Sequence, residues 1–354
     1  MRLFDEALAA ITAPDHRAGE AAAHRLDRLT KPQGSLGYLE EIVRRFAAIR
    51  HDPAAHYGRG ALTVFVADHG VADAGVSAYP KAVTIEMLRN IAAGGAAISV
   101  MARRFGFDLI VTDMGVACDT SVDSIPGVHY QRVAAGTRNF LEAPAMSSPQ
   151  ARQALESGIK IAQEAIAAGA TLIGVGEMGI GNSTSAAALL SAMTGLAPAL
   201  IAGRGTGVDD AGLRHKLEVI EAGLARHHAA LGETLSALAA LGGFEIAAIA
   251  GVCLGAAARH VPVVIDGFIA TAAAAIANRM HPELLKHLFF SHCSAEGGHR
   301  LTLETLGARP MLDLGMRLGE GTGAALAMNL IETALALYHE MATFETAQVS
   351  GRLG

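Results

Sequence analysis

The chain has 354 residues and no tryptophan, and only 5% of its residues are aromatic. Its three cysteines, Cys118, Cys253 and Cys293, are scattered and form no Cys-x-x-Cys pair. This argues against a disulfide framework and is typical of a reducing, cytoplasmic environment. The formal charge of −6 comes with no basic patch and with few aromatic side chains that could stack on bases. We therefore expect no nucleic-acid partner.

Long apolar runs are also absent, although 51% of the residues are hydrophobic. The longest uninterrupted run, residues 246–258, is too short to span a bilayer. The first residues, MRLFDEALAAITAPDH, have the pattern of an amphipathic helix rather than that of a signal peptide. We expect a soluble protein with no membrane partner and with enough apolar side chains for a large core.

Short β-branched runs alternate along the chain with alanine-rich helical stretches. Five such runs end in a polar or glycine-containing cluster: residues 62–66, 109–112, 172–175, 263–265 and 288–290. Apolar strands separated by helices are typical of a parallel sheet covered on both faces, so the pattern predicts an α/β, Rossmann-like three-layer fold. Four acids, Asp68, Asp113, Glu177 and Asp266, follow these runs. Because such sheets bind ligands at the carboxyl ends of their strands, we expect the site there.

Residues 1–50 have a different pattern, with charged helices interrupted by the segment TKPQGSLG. Together with the helical C-terminal segment, about residues 323–354, they are predicted to form a small helical domain. Residues 51–322 would then form the large α/β catalytic domain.

A single carboxylate, Glu320, lies between Gly319 and Gly321 and directly precedes a helix of small residues. Glycines on both sides let the backbone turn sharply and let a ligand approach closely. Beside an apolar run, such an acid can have a raised pKa and act as a general base. The same spacing also fits a helix cap that complements the helix dipole, and the segment alone leaves both interpretations open.

Residues 174–190, GVGEMGIGNSTSAAALL, contain a Gly-x-Gly-x-x-Gly pattern. A dinucleotide site is disfavoured because Glu177 would repel a pyrophosphate and no acid lies about 20 residues beyond Gly179 to hold a ribose. No second βαβ half is apparent in the sequence either. The pair Asp68 and His69 is interpreted as a structural loop with one ligand contact, because adjacent strand residues point to opposite faces.

Two further loops are candidates for anion binding. Residues 203–207, GRGTG, precede a helix, and Lys216 could lean back from that helix towards a phosphate, or it could be a surface lysine. In residues 291–299, SHCSAEGGH, the spacing of His292, Cys293 and His299 matches no common zinc site, so we expect no metal. Ser294 is predicted to offer its hydroxyl and amide to a phosphate.

Nine segments follow one another in a familiar order: RLDRLTKPQGSLG (25–37), ADHGV…GVSAYPKAVT (67–84), GGAAISV (94–100), GVGEMGIGNSTSA (174–186), GRGTGVDD (203–210), GGFEIAAIAG (242–251), PVVIDGF (262–268), SHCSAEGGH (291–299) and LGMRLGEGTGAALA (314–327). Together they resemble the nicotinate-nucleotide:dimethylbenzimidazole phosphoribosyltransferase family of cobalamin lower-ligand assembly. The resemblance spans nearly the whole chain. It implies a parallel-sheet α/β domain, a small helical domain that includes the N-terminus, and a homodimer.

The resemblance also implies roles for individual residues. Glu320 is placed as the catalytic base, and Glu177 as the acid near the ribose and the reacting centre. The nucleotide phosphate and ribose are expected to contact Gly179, Gly181, Asn182, Gly205, Thr206, Gly207, Lys216, Glu245, Asp266, Ser294 and Arg317. The aromatic base is expected to contact Ser77, Tyr79, Glu86, Met87, Met178 and Leu318. Family members often carry a glutamine near Glu86 and Met87, and this chain does not.

The implied reaction transfers the phosphoribosyl group of nicotinate mononucleotide to 5,6-dimethylbenzimidazole with inversion at the anomeric carbon. The products are α-ribazole 5′-phosphate and nicotinate, and no cofactor is expected. Alternatives are another acceptor (adenine, a phenol or another benzimidazole), a dinucleotide donor, or a non-catalytic nucleotide-binding relative. The presence of Glu320, Glu177 and Lys216 argues against the last alternative.

Overall fold

The computed structural model describes residues 3–117 and 124–350. Within these ranges seven strands form one sheet: β1 (Gly60–Ala67), β2 (Asp108–Gly115), β3 (Val128–Tyr130), β4 (Leu172–Met178), β5 (Val263–Ile265), β6 (Leu288–His292) and β7 (Pro310–Leu312). The α-helices of the same ranges are α1 (Leu3–Ala10), α2 (His16–Arg28), α3 (Tyr38–Arg50), α4 (Ala82–Ala92), α5 (Ala97–Phe105), α6 (Ser148–Ala167), α7 (Asn182–Thr194), α8 (Pro198–Ile201), α9 (Asp210–Arg226), α10 (Thr234–Leu241), α11 (Phe244–Ala257), α12 (Phe268–Met280), α13 (His299–Thr305) and α14 (Thr322–Glu340).

All neighbouring strands of the sheet are parallel, and their order is β3-β2-β1-β4-β5-β6-β7. This confirms the predicted α/β fold with a parallel sheet. The strand order reverses between β1 and β4, which divides the sheet into two halves. The second βαβ half that was not apparent in the sequence is therefore present in the structure. β3 and β7 escaped prediction because each has only three residues, none of them fully buried.

Successive residues of β1 face two different hydrophobic cores, as the two-residue period of a strand requires. Leu62, Val64 and Val66 pack with α3, α5 and α14 on one face. Phe65 and Ala67 pack in the core of α6, α7, α11 and α12 on the other face. All eight residues of β1 are buried. The sheet is consequently covered on both sides, which confirms the three-layer prediction.

Two N-terminal helices meet the C-terminal helix α14 on one side of the sheet. α2, α3 and α14 share a core with strand residues such as Val264 and Phe289, and Leu29 forms an antiparallel bridge with Thr343. α1 packs on the opposite side, against α6 and α11. The division into a small helical domain and a large α/β domain remains a prediction. Among the described residues, no helix is both long and apolar enough to cross a membrane.

The start of α6 is fixed by its local sequence, with Ser147 directly before the helix and Pro149 in its first turn. The Ser147 side chain accepts the Gln150 N–H while the Gln150 side chain accepts the Ser147 N–H, which forms a capping box. α6 packs tightly on α11, because a Cβ at Gly158 would overlap the backbone carbonyl of Ala248. The contact between these two helices therefore depends on the missing side chain.

We predict that Gly158→Ala lowers the free energy of unfolding by about 1–3 kcal/mol, because the added methyl group overpacks the α6–α11 contact. This should outweigh the gain of about 1 kcal/mol that alanine normally brings to a helix. Urea unfolding measures the change. Gly232→Ala is the control, since a Cβ there has no neighbour within 4 Å. Wild-type stability of Gly158→Ala would contradict the packing argument.

Candidate active site

A cavity of about 680 Å³ opens at the carboxyl end of β4, next to the point where the strand order reverses. Its volume falls within the range of small-molecule sites. It is lined by the end of β4 and the loop after it, by residues of the 203–207 and 291–299 loops, by the start of α12, and by residues 317–320. Residues of α4 and the loop before it complete the wall.

Most of the predicted site residues line this cavity. They are Glu177, Glu320, Gly179, Asn182, Gly205, Thr206, Ser294, Arg317, Tyr79, Met87, Met178 and Leu318. The structure places the other predicted residues, Gly181, Gly207, Lys216, Glu245, Asp266, Ser77 and Glu86, outside the lining. The lining residues not assigned to the site from the sequence are Val83, Ile180, Ser183, Gly267, Phe268, Ile269, His292, Glu296 and Gly319. Most of these are apolar or glycine, and such residues carry little chemical signal in a sequence.

Glu320 lies in a strained loop directly before α14. Its φ of +62° is left-handed, as are those of Gly319 (+83°) and Gly321 (+90°). Such a conformation is costly for a residue with a Cβ and is found at sites where the surrounding structure imposes it. The Glu320 side chain is buried, and its Oε2 atom has no hydrogen-bond partner. Burial raises the pKa of Glu320, a hydrogen bond from the Ile98 N–H opposes this shift, and the charge of Asp266 adds to it.

The start of α14 is capped by Asp266 and not by Glu320. Asp266 Oδ2 accepts the Gly321 N–H at 3.1 Å, and Oδ1 accepts the Ala324 N–H at 3.0 Å. Burial raises the pKa of Asp266, while His292 and these N–H groups oppose the shift. The capping interpretation of the Glu320 segment is thus fulfilled by another residue, which leaves the Glu320 carboxylate available for chemistry.

The Glu320 loop is held against β4 by a glycine. A Cβ at Gly176 would overlap the backbone of Glu320 and Gly321, so only glycine allows the loop to approach the strand this closely. The next residue of β4, Glu177, then faces the same cavity. Its Oε1 lies 2.7 Å from the position that a Cβ on Gly319 would take. The two carboxylates are therefore brought to neighbouring positions on one wall.

Glu177 is buried in an acidic environment. Burial raises its pKa well above the usual range, and repulsion from Glu245, Asp266 and Glu320 adds to this effect. A hydrogen bond from the Asn182 side chain, at the start of α7, opposes it. Acids that share a buried site cannot all be ionised cheaply, so this wall is suited to a ligand that carries positive charge.

Another part of the cavity wall is suited to an anion. The loop of residues 203–207 has left-handed glycines at Gly205 and Gly207, and Lys216 of α9 leans back beneath it as predicted. Lys216 Nζ donates to Ser183 Oγ at 2.9 Å and to Gly203 O at 3.0 Å. Burial lowers the pKa of Lys216 to about 8, and the charge of Glu296 opposes this shift. A buried lysine below a glycine loop is a common way to bind phosphate.

Both ring nitrogens of His299 have hydrogen-bond partners within the fold. His299 Nδ1 accepts the Ser294 N–H at 2.9 Å, and Nε2 lies 2.9 Å from Thr271 Oγ1. Burial, with a smaller contribution from His292, lowers the pKa of His299 to about 3, so this ring is neutral. The Ser294 amide, predicted as a phosphate donor, is therefore already used, and its hydroxyl oxygen accepts the Glu296 N–H at 3.2 Å. Across residues 3–117 and 124–350, no three His, Cys, Asp or Glu side chains form a metal-binding group.

Glu245 lies behind the cavity instead of in it. It is fully buried, and its Oε1 lies 2.6 Å from His69 Nε2, while His69 Nδ1 lies 3.0 Å from Ser185 Oγ. The expected ligand contact of the His69 loop is replaced by this buried chain of side chains. It joins the starts of α7 and α11. Glu245 can influence a ligand only through its charge on Glu177.

Not every acid at a strand end faces the ligand. Asp68 Oδ2 accepts the Ala117 N–H at 2.7 Å, and Asp113 binds Arg132 and the backbone of residues 115 and 116. These two acids stabilise the loops after β1 and β2. The expectation that all four strand-end acids mark the site is therefore wrong for this pair, because the loops there have backbone donors to satisfy. It is also wrong for Asp266, which caps α14, so Glu177 is the one of the four that lines the cavity.

The remaining wall is largely apolar. Val83, Met87, Met178 and Ile180 contribute to it, and Tyr79 at the rim is 55% exposed. The predicted base-binding residue Glu86 is exposed on α4 and does not face the cavity. Thr206 Oγ1 accepts the Ala78 N–H at 2.9 Å and lies 3.2 Å from Ser77 Oγ, so Ser77 joins this wall to the glycine loop. A flat aromatic ring would fit here.

Fold and site together define an α/β protein that can bind a phosphorylated, positively charged ligand beside two buried acids. A family model described as phosphoribosyltransferase matches residues 11–349. Two relatives are named nicotinate-nucleotide–dimethylbenzimidazole phosphoribosyltransferase. The one from Geotalea uraniireducens (strain Rf4) is 49% identical, with 99% of each chain covered. The one from Roseiflexus sp. (strain RS-1) is also 49% identical, with 100% of this chain and 99% of the relative covered.

Solved structures agree. The crystal structure of CobT from Thermus thermophilus matches with a TM-score of 0.90 and 46% identity, covering 95% of this chain and 100% of that one. The protein belongs to the nicotinate-nucleotide–dimethylbenzimidazole phosphoribosyltransferase family, as the nine sequence segments indicated.

We predict that Glu320→Gln stabilises the protein at pH 7.5 by on the order of 1 kcal/mol, since a buried carboxylate without full pairing is replaced by a neutral amide. The pKa of Glu320 is raised in the folded state, so its neutral form is favoured there. The penalty is absent below the unfolded pKa and appears as the pH rises through the folded pKa. The gain should therefore vanish near pH 4.

Urea unfolding of both proteins at pH 4 and pH 7.5 measures this difference. Glu340→Gln, an exposed glutamate at the opposite end of α14, serves as the control and should change stability by less than about 0.5 kcal/mol. A loss of stability in Glu320→Gln at pH 7.5 would show that the buried carboxylate does not destabilise the folded state.

Proposed function

We propose that the protein transfers the phosphoribosyl group of nicotinate mononucleotide to 5,6-dimethylbenzimidazole, with inversion at the anomeric carbon. The products are α-ribazole 5′-phosphate and nicotinate. The observation that carries the proposal is the pairing, in one cavity, of the acidic wall of Glu177 and Glu320 with the anion-binding wall of the glycine loop and Lys216. Nicotinate mononucleotide has a cationic ring and an anionic phosphate at its two ends, which matches these walls.

The donor needs no acid at its leaving group. The pyridinium nitrogen is already cationic, so the electron pair of the breaking C–N bond neutralises it and nicotinate leaves. Positive charge builds on the ribose as this bond lengthens. The buried Glu177 carboxylate can stabilise that charge more strongly than water would, because the site excludes solvent.

The acceptor forms the new bond with the lone pair of one ring nitrogen. The proton on its other nitrogen must then leave, and Glu320 accepts it. The raised pKa of Glu320 makes its carboxylate a stronger base than an exposed glutamate. Such help contributes on the order of 10²–10⁴ in rate. Holding both substrates in line in one cavity contributes through orientation.

The lining also supports a preference for an apolar acceptor. Val83, Met87, Met178 and Ile180 offer contacts to a methylated ring, and the exposed Glu86 offers no charge to a polar one. This favours dimethylbenzimidazole over adenine. We further propose a cytoplasmic homodimer, supported by the exposed side chains of Leu314, Leu318 and Tyr79, which a second subunit could cover.

The reaction is tested by incubating the purified protein with nicotinate mononucleotide and equal amounts of dimethylbenzimidazole, benzimidazole and adenine. Mass spectrometry of the products should show α-ribazole 5′-phosphate as the main nucleotide. Preferential formation of the adenine nucleotide would reassign the acceptor, and the absence of any new nucleotide would refute the transferase.

We predict that Glu320→Gln lowers kcat in this reaction by at least about 10²-fold, because the amide cannot accept the ring proton. Product chromatography under saturating substrates measures kcat. Glu283→Gln, an acid that pairs with Lys286 away from the cavity, is the control and should keep normal turnover. Normal turnover in Glu320→Gln would require another base.

We predict that kcat/KM for the nucleotide falls by about tenfold or more between pH 7 and pH 9.5. The pKa of Lys216 is lowered to about 8, so its ammonium loses its charge as the pH rises through this window. The nucleotide phosphate is already a dianion there, since its second pKa is about 6. kcat/KM reports groups of the free enzyme, so steady-state kinetics across this range measures the effect.

Lys216→Met is the matched variant for this experiment. Methionine has an unbranched side chain of similar length to lysine, but it has no charge at any pH. Its kcat/KM should be low throughout and should not fall further above pH 8. An equal fall in Lys216→Met would assign the pH dependence to another group.

A further inference from the structure

Glu296 lies at a junction between the nucleotide cavity and two neighbouring cavities, and it lines all three. Its Oε1 atom accepts the N–H of Gly205 at 2.7 Å. Its own backbone N–H donates to Ser294 Oγ at 3.2 Å. The carboxylate of Glu296 is therefore seated on an amide of the glycine loop.

This carboxylate occupies a position suited to a phosphate oxygen. Lys216 Nζ lies 3.1 Å from the point that a Cβ on Gly205 would take, and it donates to Ser183 Oγ, which lines the cavity. The charges of Glu296 and Lys216 act on each other across this loop. A loop amide beside a buried lysine is an anion site, and here an anion of the chain itself already uses the amide.

We propose that Glu296 is a latch that competes with the donor's phosphate for the Gly205 N–H and must leave this amide before the phosphate binds there. Glu296 is then a residue that sets the affinity for the donor. The inference rests on the proposed function only in that the ligand is a phosphate monoester.

A neighbouring cavity can accommodate the Glu296 carboxylate after it leaves the Gly205 N–H. A cavity of about 340 Å³ adjoins the latch; its lining includes Arg204, Arg317 and Gly207 but not Glu177. Arg317 can balance the charge of Glu296 there after it turns away, whereas the charge of Arg204 is already paired with Asp210. Arg204 is itself fixed by Asp210 and by the carbonyl of Val208, so it offers a defined position.

A purely structural role predicts different behaviour. Glu296 also joins the 203–207 loop to the 291–299 loop, and this clasp could simply hold the phosphate site open. Gln at position 296 keeps an acceptor for the Gly205 N–H but has no charge, whereas Ala removes both the acceptor and the charge. As a clasp, Glu296→Gln would leave phosphate binding unchanged and Glu296→Ala would weaken it. As a latch, both variants would tighten it.

The experiment measures binding of ribose 5-phosphate by titration calorimetry, with ribose as the ligand that lacks the phosphate. We expect Glu296→Gln to lower the Kd for ribose 5-phosphate at least about 10-fold, because repulsion between two neighbouring anions is removed. Glu296→Ala should lower it in the same direction. Ribose binding should not differ between the wild type and either variant. An unchanged or higher Kd for ribose 5-phosphate in Glu296→Gln overturns the latch.

Glu304→Gln is the matched control, since Glu304 is exposed on α13 and lines one of the two neighbouring cavities but not the nucleotide cavity. It changes the net charge of the protein by the same amount. Equal tightening in Glu304→Gln would also overturn the latch, because a general charge effect would then explain the result.

The two proposals fail in different ways. In the transfer assay, Glu296→Gln should lower the KM for nicotinate mononucleotide more than it changes kcat. If the wild type forms no nucleotide product but ribose 5-phosphate binds more tightly to Glu296→Gln, the function is wrong and the latch holds. If product forms and the Kd does not fall, the function holds and the latch is wrong.

Discussion

The contact between Gly176 of β4 and the backbone of Glu320 and Gly321 is the constraint on which the site depends. It holds a strained loop against the sheet, and so places the carboxylates of Glu177 and Glu320 on the same wall. Burying acids in this way works against folding. A sheet with a hydrophobic core on each face can sustain that loss, and Asp266 satisfies the first amides of α14 so that Glu320 does not have to.

The cavity has an acidic side and a side that favours anions. On one side, burial and mutual repulsion raise the pKa values of neighbouring acids, which favours a ligand or transition state with positive charge. On the other side, Lys216 and the glycine loop favour an anion. In the proposed function, a nucleotide with a cationic ring would span both sides in one orientation. The same arrangement explains why Glu296 matters, because an acid on the anion side is out of place until it turns away.

Much of the fold could be predicted because buried parallel strands have sequences that are continuous apolar runs. The run at residues 263–265 became β5 unchanged, and the runs at 62–66 and 172–175 became the longer strands β1 (Gly60–Ala67) and β4 (Leu172–Met178). β3 and β7 could not be found, because neither has a fully buried residue to mark it. Lys216 was predictable in part, since a residue two turns into a helix can reach back over the helix start. Its complete burial was not, because that depends on α7 and the 203–207 loop packing around it.

The sequence by itself determined the layers, the family and the residues that could carry charge into the site. The layers follow from periodicity and composition, which are local properties. The family follows from nine motifs that occur in one fixed order. Only the tertiary structure decided which acids face the ligand: Glu177 and Glu320 line the cavity, Asp266 caps a helix, Glu245 is held behind by His69, and Asp68 and Asp113 bind loops. A carboxylate takes the role of whichever donors surround it, and those donors come from segments far apart in the chain.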